Sequence, residues 1–248
     1  MPIRSSFSHI PFALPRHPWI MRQSWHELMF LHWPVPVDML RPLLPSGLAP
    51  DTFDGAAWVG VVPFTMRGVA PRGLPSVPWL SAFPEINLRT YVTVDGKPGV
   101  WFFCLDAGNP VAVSLARTTF HLPYFNAAFQ IHHNKQEISY AHQRTHRGAV
   151  HGAFQATYRP IGPVFHAQPA SLAYFLTERY CLYTTNNRGQ ILRGIIGHAP
   201  WELQAGAAEI GTNTLAAAHG ITLPDCPPLL HYAHRQQMVA WALERVAR

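Results

Sequence analysis

Residues 83–92, FPEINLRTYV, decide how this chain is read. With the two-residue period of a strand, Glu85, Asn87, Arg89 and Tyr91 fall on one face, and Ile86, Leu88, Thr90 and Val92 on the other. The apolar face is an ordinary core face. The charged face is either solvated or turned into a polar cavity that grips a ligand. Neighbouring members of the row lie about 7 Å apart along a strand, so an acceptor, an amide and a cation would line one pocket.

The surroundings support the strand. Asp95 and Gly96 form a favoured two-residue turn, which predicts a hairpin with arms at about 85–94 and 99–106. Asp54 and Gly55 mark a second hairpin. Residues 21–33 read as an aromatic-rich strand, 37–44 as a short helix and 69–80 as a Pro/Gly loop. Asn109 is a natural N-cap, with Pro110 at the first position of a helix. Further strands are expected near 124–132, 136–144 and 152–159, and a helix near 169–179. The run YCLYTT-NNRGQ-ILRGIIGH reads as a hairpin and 212–219 as a short helix; LLHYAHRQQMVAWAL suits strand or helix. The 24 prolines and 17 glycines work against long helices. One α+β domain spanning 1–248, with a large, mostly antiparallel sheet, is the resulting expectation.

Composition narrows the function. Apolar residues make up 48% and charged residues 13%, a well-packed globular balance. The formal charge is +6, but the arginines are scattered and the only lysines are Lys97 and Lys135. Basic clusters of the kind that bind nucleic acid are missing, so nucleic acid is not an expected partner. No stretch has the apolar length of a membrane span, and prolines at 11, 15 and 18 break the N-terminal run that a signal peptide would need. Cys104, Cys181 and Cys226 are far apart and odd in number, which suits a reducing cytoplasm rather than a disulfide framework. Self-association is left open.

Fifteen histidines raise the question of a metal. His142 and His146 would share an ion only on a helix. On a strand they sit about 13 Å apart, and His132 and His133 point to opposite faces. No HExxH is present, so neither a metal nor a cofactor is expected. GxSxG, GxGxxG and P-loop patterns are also absent. Arg117, His121 and Tyr124, in ARTTFHLPYF, lie where a helix hands over to a strand, a position that often carries function. The plainer alternative is that His121 and Tyr124 are packing residues.

As a set, PWIMRQSWHELMFLHWPVP, DTFDGAAWVGVVPFTM, FPEINLRTYV, GVWFFCLDAGNP and ARTTFHLPYF resemble the uncharacterised bacterial YqjF-like domain family, most strongly from about 18 to 130. That family is distantly similar to acetoacetate decarboxylase. The resemblance implies an antiparallel β-cone or barrel with an internal cavity and short flanking helices. In the decarboxylase a Schiff-base lysine stands beside a second lysine, near an arginine and two glutamates. Here Arg22 matches the arginine and Glu85 one glutamate. The other glutamate falls on Trp58 or Val59, and the lysine pair on Tyr124 and Phe125. Imine chemistry needs a primary amine with a depressed pKa, and neither Lys97 nor Lys135 is placed to supply one.

The expected function is therefore binding of a small, anionic carboxylate or keto/enol compound. Arg22, Asn87, Arg89 and Arg117 would hold it. If the protein is an enzyme of lyase or isomerase type, Glu85 or His121 would move protons and Tyr124 would polarise a carbonyl. A non-catalytic sensor or carrier using the same cavity is the alternative.

Overall fold

The computed structural model describes residues 7–246. Its strands are β1 (Met21–Val35), β2 (Thr52–Phe53), β3 (Ala56–Pro71), β4 (Phe83–Val94), β5 (Lys97–Ala107), β6 (Tyr124–Asn134), β7 (Glu137–Arg144), β8 (Ala153–Phe165), β9 (Cys181–Thr185), β10 (Ile191–His198), β11 (Leu203–Asn213), β12 (Leu229–Ala240) and β13 (Glu244–Arg245). Short helices α1 (Val37–Leu40), α2 (Pro78–Ser81), α3 (Pro110–Thr119) and α4 (Leu172–Thr177) flank them.

All thirteen strands belong to one sheet, in the order β13-β10-β9-β5-β4-β3-β1-β12-β11-β8-β7-β6, with β2 on β3. Two further pairings close it. β10 meets β12, and β6 meets β5, so two rings share β5, β4, β3, β1 and β12. Every pairing is antiparallel except β5 with β6 and β5 with β9.

Because β4 belongs to both rings, its two faces look into different interiors. Ile86 and Leu88 join Ile138, Tyr140, Phe154 and Tyr158 in the larger apolar core, under β7 and β8. Glu85, Asn87 and Arg89 look the other way, into the ring closed by β9 and β10. Both faces of β4 are thus sheltered. The charged row is buried because a second set of strands covers it.

Two irregularities tune what enters the smaller ring. On β1, Glu27 has φ 58° and the pairing with β3 shifts between His26 and Leu31. Gln23 and Trp25 face inward before this bulge; Leu28 and Phe30 do so after it. On β5 the register with β4 shifts between Leu88 and Arg89, so that Phe102 and Leu105 both face the interior.

The hairpin through Asp95 and Gly96 forms with φ of 51° and 68°, and the one through Asp54 and Gly55 with 50° and 80°. Both are the left-handed pairs that such two-residue turns require. Asn109 caps α3 by accepting from the Val111 and Ala112 amides, both at 3.1 Å. Elsewhere the expectations need correcting. The helix expected at 37–44 is α1 followed by a 3-10 turn at Arg41–Leu43, because Pro42 cannot continue the α-helix ladder. The loop expected from 69 starts later, since β3 runs to Pro71, and it ends in α2. The helix expected at 212–219 is the end of β11 and a 3-10 turn, Ala217–His219. β11 was not anticipated, and the ambiguous last segment is β12.

Candidate functional site

The interior of the smaller ring encloses a cavity of about 100 Å³. β4 contributes Glu85, Asn87 and Arg89; β5 contributes Val100, Phe102 and Leu105. Trp25, Phe30, Phe64 and Trp201 supply much of the apolar wall, and Arg179 and His198 add polar groups.

Glu85 is 2% exposed. Its Oε2 accepts from the Tyr124 hydroxyl at 3.0 Å. Burial pushes the Glu85 carboxyl from 4.5 up to about 8; the Tyr124 hydrogen bond opposes this, and the charge of Asp106 adds to it. At neutral pH Glu85 is therefore mostly a carboxylic acid with a proton to donate. Burial and the neighbouring Glu85 also raise Tyr124 well above the ordinary phenol value.

Arg89 is anchored at one end only. Its Nη2 donates to the Leu176 carbonyl at 3.1 Å and to the Tyr91 hydroxyl at 3.4 Å, and its guanidinium lies 5.3 Å from the Phe30 ring centre. Its Nε is buried without a protein partner, as is Oδ1 of Asn87. A second guanidinium, Arg179, pairs with Asp51 at 2.8 Å and donates to the Phe175 carbonyl at 2.5 Å. Trp25 and Trp201 stack with ring centres 5.9 Å apart and planes 12° apart, and neither indole N–H has a partner. The cavity thus combines aromatic walls, donors without acceptors and a neutral acid. That combination suits a small, planar, anionic guest.

The residues singled out from the sequence divide into two sets. Glu85, Asn87, Arg89 and Tyr124 line this one cavity. Arg22, Arg117 and His121 do not. β1 alternates, so Gln23 faces the cavity while Arg22 is exposed and lines an open groove. Arg117 sits exposed on α3, where its Nη1 donates to the Tyr124 carbonyl at 2.6 Å. It braces the backbone of Tyr124 rather than reaching the cavity. His121 terminates α3 in the left-handed conformation, φ 51°, and its carbonyl accepts from Thr184 Oγ1 at 2.5 Å. Its side chain lines a separate depression with Trp101, Phe103, Pro123 and His219.

Arg179, Asp51, His198, Trp25 and Trp201 were missed. For Arg179 the signal was two adjacent charges inside an apolar run, LTERYCLY: Arg179 pairs with Asp51, while Glu178 accepts from the Tyr180 hydroxyl and the Trp201 amide. His198 and Trp201, in HAPW, carry no periodic signal at all. His142 is bonded through Nε2 to Asp106 at 2.8 Å, and His146 accepts from the Asn126 amide at 3.2 Å, well apart in role. Among the described residues no group of three or more His, Cys, Asp or Glu is placed to hold a metal ion.

Residues 22–237 match the DUF2071 family, described as "Uncharacterized conserved protein". The chain belongs to this family. It is 48% identical over 239 residues to "Uncharacterized protein YqjF" of Bacillus subtilis (strain 168), covering 96% of this chain and 98% of that one. Solved structures share the fold at low identity. "Enduracididine biosynthesis enzyme MppR complexed with pyruvate" superposes with a TM-score of 0.65 at 12% identity, over 96% of this chain and 93% of that one. Acetoacetate decarboxylase from Legionella pneumophila does so with a TM-score of 0.61 at 14% identity, over 99% and 95%. The family and the acetoacetate decarboxylase-like fold implied by the sequence motifs are both present. At these identities the structural likeness concerns the fold alone. No helix among the described residues is long and apolar enough to cross a membrane.

Proposed function

We propose that this DUF2071 chain is a single-domain cytoplasmic protein whose cavity takes a small carboxylate of the keto or enol type, held without a covalent bond to lysine. The observation that carries this reading is the buried Arg89 Nε, which has no protein partner in a cavity that also holds a neutral Glu85. A carboxylate, with one oxygen accepting from Nε, would satisfy the guanidinium in a charge-assisted hydrogen bond, the kind that makes such contacts strong. Its carbonyl or enol oxygen would meet the Glu85 proton. The size is consistent with a small guest: about 100 Å³ matches roughly three waters' share of liquid volume. One structural neighbour, the enduracididine biosynthesis enzyme MppR, is complexed with pyruvate, a molecule of that class.

The residues lining the cavity include no lysine. Where the family resemblance puts the reacting amine, Tyr124 stands hydrogen-bonded to Glu85. Lyase or isomerase chemistry would then run through proton transfer: Glu85 donates to the developing enol or carbanion, and Tyr124 stabilises charge on oxygen. A sensor or carrier role is favoured by a different observation. Glu85 and Tyr124, the hydrogen-bonded pair in the cavity, are both held in their acid forms and so do not abstract a proton.

A thermal-shift screen of small 2-oxo acids tests the site, and analysis of the recovered ligand separates the two roles. A bound acid raises the melting temperature of the native protein. Arg89→Ala lowers affinity at least 10-fold while the fold survives, and binding to both proteins weakens above about pH 8 as Glu85 ionises. Equal affinity in the two proteins would refute the anion site. A ligand returned unchanged identifies a binder, and a rearranged or cleaved one identifies an enzyme.

A further inference from the structure

A second, larger concavity lies on the outside of the same strands. It is an open groove of about 900 Å³. Its origin is a gap in the sheet. β12 pairs with β11 as far as Ala233 and with β10 only from Met238, so residues 234–237 have no strand on that side. The connection 199–202 crosses the gap, fastened by Gln236 Nε2 to the Ala199 carbonyl at 2.9 Å, and lines the groove.

Positive charge gathers there. Arg22, Ser24 and His26 alternate along the outer face of β1. Ser24 is the register partner of Arg67 on β3, and His26 of Arg235 on β12. Direct cross-strand partners place their Cβ atoms about 5 Å apart, so guanidinium groups flank β1 on both sides. Among the described residues none of the three arginines forms an ion pair, and the one carboxylate lining the groove is Glu202. Arg235 Nε donates to Ser24 Oγ at 3.3 Å, and Ser24 Oγ lies 2.9 Å from His26 Nε2. This chain orients one guanidinium over the groove. Burial and then the charges of Arg67 and Arg235 lower the His26 pKa, the effect of a positive field that no acid offsets.

We propose that this groove is a second binding site, distinct from the inner cavity, and that it takes an organic phosphate. Three guanidinium groups offer forked donors to phosphate oxygens. The volume is that of a cofactor-sized ligand rather than of the small acid the inner cavity would hold. Phe7 and Val239 provide apolar wall for the remainder of such a molecule. Gln23 and Met238, register partners across β1 and β12, line both the groove and the cavity and form the partition between them. The site stands whether or not the cavity binds a carboxylate.

Calorimetric titration with inorganic pyrophosphate, in a chloride buffer of low ionic strength, is the test. The native protein binds, and affinity falls as salt rises. Arg67→Ala/Arg235→Ala loses at least 10-fold, whereas Arg89→Ala binds as the native protein does. The charge-preserving Arg67→Lys/Arg235→Lys variant loses several-fold, because an ammonium cannot reproduce the fork. Absence of binding overturns the proposal. So does binding that survives Arg67→Ala/Arg235→Ala, binding that depends on Arg89, or full retention in the lysine variant, which would reduce the groove to diffuse positive charge.

Discussion

At the scale of the residue, the account rests on a carboxyl group kept from ionising. Glu85 has no cationic partner of its own; its side chain meets a phenol, and burial sets its state. The sign of the pH effect follows. Between about 4.5 and 8 the native state holds a proton on Glu85 that the unfolded chain releases. Stability from this group is therefore complete below the lower value and is lost as pH rises through the upper one, at roughly 1.4 kcal/mol for each pH unit crossed. Glu85→Gln keeps the shape and the acceptor but cannot ionise. Urea denaturation of both proteins across pH 4–9 should show native stability falling relative to the variant as pH rises. Parallel curves would mean that Glu85 titrates as it does in water.

At the scale of the element, the approach of β9 to β5 closes the smaller ring. Gly99 makes it possible. A Cβ there would sit 2.7 Å from Tyr183 Cε2 and 2.8 Å from both the Cβ and the carbonyl oxygen of Cys181. Part of that obstacle is backbone, so it cannot rotate away. Gly99→Ala should cost about 1–3 kcal/mol by overpacking. It should also weaken acid binding, because β9 carries Leu182 into the cavity wall. Chemical denaturation and the same thermal-shift titration check both; an unaltered melting point would show that the strands are free to separate. These elements also show what the sequence could reveal. The Asp95 and Gly96 turn, the Asn109 cap and the alternation of 83–92 are local, and they read directly. β12 did not, because its middle residues, His234 and Arg235, are exposed side by side where neither β11 nor β10 pairs with them, which breaks the alternation. β11 did not either, since its small Ala and Gly residues give no clear apolar stripe. The bulge at Glu27 was equally hidden. The resemblance to the decarboxylase pointed to Arg22, whereas its neighbour Gln23 faces the cavity.

At the scale of the whole molecule, one sheet folded into two rings assigns two jobs. The larger ring is filled mostly by aliphatic and aromatic side chains, Tyr140 and Tyr158 among them, around Asp106 paired with Arg144 and His142, and supports the fold. The smaller encloses polar atoms without partners, Arg89 Nε and Asn87 Oδ1 among them, where buried polar atoms normally find partners. The motifs identified the family and the fold, and the charged row pointed to Glu85, Asn87 and Arg89 in the cavity wall. His198 and the paired tryptophans come from distant segments that only ring closure brings together, and no local pattern announces them; Arg179 is announced only by its place in the apolar run LTERYCLY. Carbon-13 NMR titration of the side-chain carboxyls, with Glu85→Gln assigning the signal, tests this architecture most directly. The enclosed ring predicts a Glu85 midpoint near 8. A midpoint near the ordinary 4.5 would put the carboxyl in water and contradict it.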